Sequence, residues 1–322
     1  MASIYHGRGA VIGLAEESSG SPYGTAIAAG SISNFRPLIS SDLTRTIEKV
    51  PRPTLRVGAA GAMRRKHYVQ ADNAGGSFEI EGTYESMGLL LRHIMGTAAK
   101  TGTGPYTHTY TFADDVAESL TLANIRGTGT TETFEGCRVN TATFACAAGG
   151  VMTLACDVIA ETSANRASFG GTVAISATDS PILHSHAGQL SFNSVNYDLI
   201  DMSLVVNNAL AVRQHLGSEV TAKPLRSDFQ SVELTVTLEV EDALYQAFLD
   251  DTEGDVVLAF SPSGSTDTIT FTVHNAYIST ATDPVSDANV VRQTITFVGQ
   301  SDGSDEGLKI EVVNDNDSST GN

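Results

Sequence analysis

Tryptophan is absent from this 322-residue sequence, and basic residues are scarce, with 19 Lys and Arg against 37 Asp and Glu. The formal net charge is therefore −18 at pH 7. Proteins that grip nucleic acid neutralise its phosphates with Lys and Arg, so this balance excludes a protein that holds nucleic acid by its backbone. Two interpretations of the acidity stay open: a surface that remains hydrated in a saline habitat, and ordinary acidic solubility.

Cysteine and long apolar runs are also scarce. Cys137, Cys146 and Cys156 form no CxxC pair and lie in apolar, strand-like stretches, so we predict buried free thiols and neither a disulfide framework nor a zinc site. The N-terminus lacks the apolar core of a signal peptide, and no run approaches the roughly 20 apolar residues of a membrane-spanning helix. We expect a soluble protein without a recognisable export signal.

Small and β-branched residues are abundant instead. Thr, Ser, Ala, Gly and Val are frequent, and hydrophobic residues make up 41% of the chain. This composition favours pleated sheets and tight turns over helix bundles. The length suits two domains of modest size.

A repeat divides the chain into two halves. The segment Ser77–Met95, SFEIEGTYESMGLLLRHIM, aligns without gaps with Ser231–Leu249, SVELTVTLEVEDALYQAFL, at a constant offset of 154 positions. In both copies apolar and polar residues first alternate with period two, which predicts a strand with one buried face and one face carrying carboxylates. The apolar spacing then changes to a helical stripe, which predicts a short amphipathic helix.

The correspondence continues downstream as a meander of strands with polar turns. Phe134 aligns with Phe271 at the shorter offset of 137, so the first half carries an insertion around residues 96–117. Repeats of this size mark repeated structural units. We predict a mainly β protein of two tandem β-sandwich or barrel units, each with a short flanking α-helix.

The alignment also predicts domain boundaries. The first unit covers residues 1–162 and includes an N-terminal arm and a long loop at about residues 31–76, where periodicity is weak. Residues 163–180 form a linker, and residues 181–300 form the second unit. Residues 301–322 are an acidic C-terminal extension with one strand-like piece. A connection as long as the first loop favours a functional loop or a binding arm.

No motif predicts catalysis, a cofactor or a metal site. The glycines near Gly7 lack the preceding strand and the spacing of a dinucleotide-binding loop, and residues 96–105 lack the spacing of a phosphate-binding loop. His184 and His186 have no neighbouring cluster of ligands, so we interpret them as surface histidines. The basic run Arg64–His67 has two interpretations. It either contacts an acidic partner, such as a neighbouring subunit, or forms a solvated loop.

The order of several further motifs is informative. They are GLAEESSGSPYGTA (Gly13–Ala26), GGSFEIEGTYESMGLLLRHIMG (Gly75–Gly96), PYTHTYTFADDVAESLTL (Pro105–Leu122), FEGCRVNTATFACAAGGVMTLACDVIA (Phe134–Ala160) and NALAVRQHLGSE (Asn208–Glu219). In this order and spacing they resemble the major tail tube proteins of long-tailed phages and related archaeal viruses. The acidity and the extension after Gly299 depart from that family.

The resemblance implies a virion structural protein rather than an enzyme. In this family, β-sandwich subunits with a flanking helix join edge to edge, so that their inner sheets close into one barrel around a lumen. Rings then stack into the tail tube, the channel for genome delivery. The implied partners are other copies of the chain, the tape measure, terminator and distal tail proteins, and viral DNA that passes without specific binding. The implied location is the virion tail, after synthesis in the host cytoplasm and without membrane contact.

Two units per chain add an expectation about symmetry. Because rings of this family are six-fold or pseudo-six-fold, we favour a ring of three chains, with six chains as the alternative. Glu79, Glu81 and Glu233, on the polar faces of the matched strands, are the candidates for lining the lumen, where carboxylates repel phosphates. The alternative position for these faces is the outer solvent. The alternative functions are a head-decoration or surface-layer protein and a carbohydrate-binding β-sandwich module, although the missing Trp disfavours the last.

Overall fold

The computed structural model describes residues 9–18, 21–51, 67–114, 118–127, 130–164, 169–173, 175, 182–282, 290–303 and 306–318. These residues fold mainly as β-strands, which confirms the predicted fold class. The elements are β1 Val11–Glu16, β2 Asn34–Ser41, β3 Thr44–Pro51, β4 His67–Glu81, α1 Gly88–Met95, β5 Gly96–Thr101, β6 Tyr106–Phe112, β7 Leu120–Arg126, β8 Thr130–Ala147, β9 Thr153–Ala160, β10 Thr162–Ser163, β11 Gly188–Phe192, β12 Val195–Tyr197, β13 Leu199–Asn207, β14 Leu210–Arg213, β15 Ala222–Arg226, β16 Ser231–Glu239, α2 Asp242–Leu249, β17 Gly254–Phe260, β18 Thr268–Thr282, β19 Arg292–Val298 and β20 Leu308–Asn314.

Strands of the first half close into a six-stranded barrel. The pairing runs β1–β2–β4–β9–β8–β7 and returns to β1, antiparallel at every step. Closing the circuit pairs strand edges that would otherwise be open. Helix α1 follows β4 as the repeat predicted.

The second half repeats this circuit. It runs from β11 to β12, which continues as β13 after Asp198, and then through β16, β19, β18 and β17 back to β11. Helix α2 follows β16 as α1 follows β4. The predicted strand-then-helix unit is therefore confirmed in both halves.

Two of the strand pairings among the described residues connect the halves. Strand β8 extends beyond its own barrel and pairs, over Thr141–Ala147, with Asp201–Asn207 of β13. Strand β20, in the predicted C-terminal extension, pairs with β18 on one edge and with β6 of the first-half insertion on the other. The first-half insertion and the C-terminal extension have no counterpart in the repeat, and they pair with each other through β6 and β20.

Side chains from both halves share one hydrophobic core. The ring centroids of Phe144 in β8 and Phe271 in β18 lie 5.0 Å apart, in a tilted arrangement. Such aromatic pairs contribute about 0.5–1.5 kcal/mol beyond the burial of their surface. The three cysteines are free and buried in this region, which confirms the predicted buried thiols.

The stretch 31–76 differs from the predicted long loop. It contains β2, β3 and most of β4, and β3 pairs with β4 in a hairpin from Thr44↔Gly75 to Pro51↔His67. Most side chains of β3 are exposed on both faces. Sequence periodicity reports the burial of one face, so a strand such as β3, with most of its side chains exposed, gives little signal.

Candidate functional site

The sheet that crosses the joint between the halves has one face on the core and one face away from it. Its strands follow the order β3–β4–β9–β8–β13–β16–β19–β18. In β16, Val232, Leu234 and Val236 are buried, while the residues between them are exposed or half-buried. Strands β9 and β13 alternate in the same way. We call the side of this sheet that carries the alternate, less buried residues the polar face.

Backbone pairing arranges the polar face in rows. One row leads from Glu79 of β4 through Ala155, Thr143 and Val205 to Glu233 of β16. Residues opposite each other on neighbouring strands point to the same side of a sheet. Glu79 and Glu233 therefore belong to one surface, although 154 positions separate them in sequence.

The neighbouring row consists mainly of small polar residues. It begins at Glu81 and continues through Thr153, Ala145, Ser203, Thr235 and Thr296. The hydroxyls of Thr235 and Thr296 lie 3.3 Å apart, and those of Thr237 and Thr294 lie 3.5 Å apart. Because these hydroxyl side chains are short and hydrogen-bond to each other, few side chains protrude from this part of the face.

Carboxylates dominate the charge of the polar face. Beside the three predicted glutamates it carries Asp157 and Asp201, which sequence reasoning did not single out. Arg292 stands opposite Glu239 at one end. Burial raises the pKa of Asp157, with a further rise from Asp42 and a lowering through a hydrogen bond with Asn140. A surface with this charge repels phosphate groups.

A second acidic group, formed by Glu17, Glu135 and Glu161, lies beside β7 and β8 and was also missed by sequence reasoning. Glu17 accepts hydrogen bonds from the Thr121 hydroxyl at 2.9 Å and the Gly136 amide at 2.8 Å. Burial, followed by the charge of Glu17, raises the pKa of both Glu135 and Glu161. These bonds attach the segment after β1 to β7 and β8, so the group has a structural role.

The histidine pair and the basic run are the other sequence candidates. The rings of His184 and His186 lie 5.9 Å apart, next to the start of β11. Among the residues that the structure describes, no group of three or more His, Cys, Asp or Glu side chains is placed to hold a metal ion. Of the basic run Arg64–His67, all but His67 lies outside the described residues.

A comparison of the sequence with models of protein families identifies the family of the chain. The family described as "Phage tail tube protein" matches residues 7–299 of the chain. The chain belongs to the phage tail tube protein family. No curated protein matches it.

As a tail tube protein, the chain is a structural component of a virion tail. The matched residues include both barrel circuits and end before β20, in agreement with the predicted departure after Gly299. Within the described ranges, the helices are too short or too polar to span a membrane.

Proposed function

We propose that this tail tube protein closes into rings whose channel is lined by the polar face. The observation that carries the proposal is the sheet itself, since one acidic face runs through both halves of the chain. A sheet that ends in open edges is a template for pairing with another chain, and a closed ring removes those edges.

The rings stack into a tube through which the viral genome passes. Glu79, Glu81 and Glu233 face the channel, together with Asp157 and Asp201 on the same rows. Their charge keeps DNA phosphates from adhering, so passage is non-specific. Tape measure, terminator and distal tail proteins are the further partners, and the subunit is made in the host cytoplasm before it enters the virion tail.

The repeated circuit supports a ring of three chains. Two tube-like units, residues 1–162 and 181–300 with a linker at 163–180, occupy two of six positions, so three chains form a pseudo-six-fold ring. Six chains per ring, with one unit decorating the outside, is the alternative. The β3–β4 hairpin within residues 31–76 projects from the barrel and contacts the next ring.

Charge reversal on the polar face tests the proposal. Purified tubes that carry Glu79→Lys with Glu233→Lys are sedimented with double-stranded DNA at low salt. The matched control carries Asp250→Lys with Glu306→Lys, which change the net charge equally at exposed positions away from the polar face. We expect DNA to be retained by the polar-face variant and not by the control or the natural sequence. Equal retention by both variants contradicts a channel lined by this face.

A further inference from the structure

The pairing of β8 with β13 has an equivalent in two other strand edges, which stay unpaired within the described part of the chain. Among the described residues, β18 pairs with β19 alone from Tyr277 onward, so its opposite edge is open there. On the other side of the sheet, β2 pairs with β1 up to Pro37, and the Leu38 amide donates to the Ala10 carbonyl at 3.2 Å. The next paired residues, Ser40 and Ser41, pair with β4 alone. The sheet therefore ends in two strand edges of complementary direction.

Backbone partners show which residues are equivalent in the two halves. Glu79 and Glu233 are matched residues of the repeat. Glu79 pairs with Ser40 on one side and Ala155 on the other. Glu233 pairs with Val205 on one side and Val298 on the other. Ser40 thus occupies in the first half the place that Val205 occupies in the second.

The next step along the row gives the second equivalence. Ala155 pairs with Thr143 of β8, and Val298 pairs with Tyr277 of β18. Tyr277 therefore occupies the place of Thr143. Inside the chain, Thr143 pairs with Val205. The corresponding partners, Tyr277 and Ser40, lie at opposite ends of the sheet.

We propose that β18 of one copy pairs antiparallel with β2 of a second copy, with Tyr277 opposite Ser40 of the next chain. The proposal rests on the proposed ring and names the contact that closes it. The two edges are different surfaces, so each copy offers one of each, and such head-to-tail contacts form a ring where the rotation from one copy to the next closes. Around the ring, β8–β13 joints within chains then alternate with β18–β2 joints between chains.

The joint between chains is shorter than the joint within a chain. Strand β1 occupies the β2 edge as far as Pro37, where Val11 is its partner. In the copied register the joint covers Ile39 and Ser40, because the Leu38 amide is bonded to Ala10, whereas the internal joint covers Thr141–Ala147. Ile39, with 49% of its surface exposed, lies within this stretch. Fewer backbone bonds make the ring joint the weaker of the two, so rings dissociate on dilution into intact single chains.

Mixed cysteine variants test the joint directly. Ser40→Cys protein and Tyr277→Cys protein are mixed, assembled and exposed to a mild oxidant, and the three natural thiols are buried. We expect a disulfide-linked dimer that contains one chain of each variant. The matched control mixes Ser40→Cys with Ala99→Cys, which places the second thiol on the exposed edge strand β5. A dimer in the control of the same yield overturns the assignment.

The outcomes separate this joint from the proposed function. Rings that form without a disulfide between the Ser40→Cys and Tyr277→Cys chains overturn the joint and leave the tube intact. Failure to assemble at any protein concentration overturns both. If a cysteine variant alone fails to assemble, cryo-EM of rings of the natural sequence identifies the strand beside β18. A neighbour other than β2 overturns the joint in that measurement.

Discussion

Helices α1 and α2 occupy matching places after matching strands, yet they differ in burial. All residues of α1 except Arg92 are buried, whereas Leu244 is the buried residue of α2. The apolar stripe that predicted both helices is similar in the two copies. Matching sequence patterns thus specify the same element, and the rest of the chain decides how much of it is covered.

The cover over α1 comes from segments that α2 lacks. Helix α1 contacts β5 and β6 of the first-half insertion. Arg92 forms ion pairs with Glu16 at 2.7 Å and Glu118 at 3.3 Å. The Asn208 amide donates to the Ile94 carbonyl at 3.0 Å. The insertion and the second half together turn a surface helix into a core helix.

The largest expected effect comes from shortening a matched pair of side chains at the helix ends. Met95 of α1 is 1% exposed, while Leu249, its match in α2, is 57% exposed. Met95→Ala leaves a cavity, so we expect it to lower the free energy of unfolding by about 2–5 kcal/mol. Leu249→Ala changes it by about 0.5 kcal/mol or less, as is usual at a surface. Urea titration of both variants measures the difference, and equal losses contradict the different burial of the helices.

A smaller loss of stability is expected from substitutions of the polar residues that follow the matching strands β13 and β2. Asn208 follows β13, is 5% exposed, and donates to the carbonyls of Ile94 and Val139 at 3.0 and 3.1 Å. Asn208→Ala leaves these buried carbonyls without that donor, which costs about 1–3 kcal/mol. Asp42 follows β2 in an exposed position and accepts a hydrogen bond from the Ser77 hydroxyl at 3.1 Å.

Asp42→Ala is the control for the Asn208 substitution. Because water replaces the lost partner at an exposed site, we expect a loss of about 1 kcal/mol or less. Thermal unfolding of the two variants ranks them. A loss at Asp42 as large as that at Asn208 would show that Asn208 does not act as a buried connection between the halves.

The smallest expected effect is a pH-dependent change in stability at Glu135 of β8. Burial and the charge of Glu17 raise the pKa of Glu135, while Arg45 lowers it; the aligned residue of the second half is Thr272. A carboxyl with a raised folded pKa destabilises the fold above that pKa, and the penalty fades as the pH falls below the unfolded value. Glu135→Gln should therefore stabilise at pH 7 by less than about 1 kcal/mol, since the side chain is partly solvated.

Urea titrations at pH 7 and pH 4 measure this dependence. The gain from Glu135→Gln is expected at pH 7 and shrinks at pH 4, where the natural carboxyl binds a proton. Asp250→Asn, at an exposed position in the second half, is the control and should show no such gain. A gain that is the same at both pH values would mean that ionisation of Glu135 does not cause it.

The sequence predicted those parts of the fold that depend on local spacing. Alternation between Phe78 and Glu79 indicates a half-buried strand wherever that strand lies, and the change to helical spacing marks α1. The β8–β13 pairing joins Thr143 to Val205, and no local pattern specifies which strand lies beside which. The hairpin of β3 and β4 was missed because most side chains of β3 are exposed, so β3 shows no period-two alternation.

The polar face was predicted in part for the same reason. Glu79, Glu81 and Glu233 stand out because the repeat matches their strands. Asp157 alternates with buried neighbours in the same way, but its place beside Ser77 becomes visible only from the pairing of β4 with β9. A face is a property of neighbouring strands, so sequence periodicity finds its members only one strand at a time.

The most direct test of the central claim is cryo-EM of the protein after concentration and assembly. The account predicts closed rings or tubes in which the strands of the continuous sheet surround a channel and Glu79 and Glu233 point into it. Tubes in which these carboxylates face the outer solvent, or a channel lined by neutral or basic side chains, would contradict it. So would single chains that persist at every concentration and salt condition.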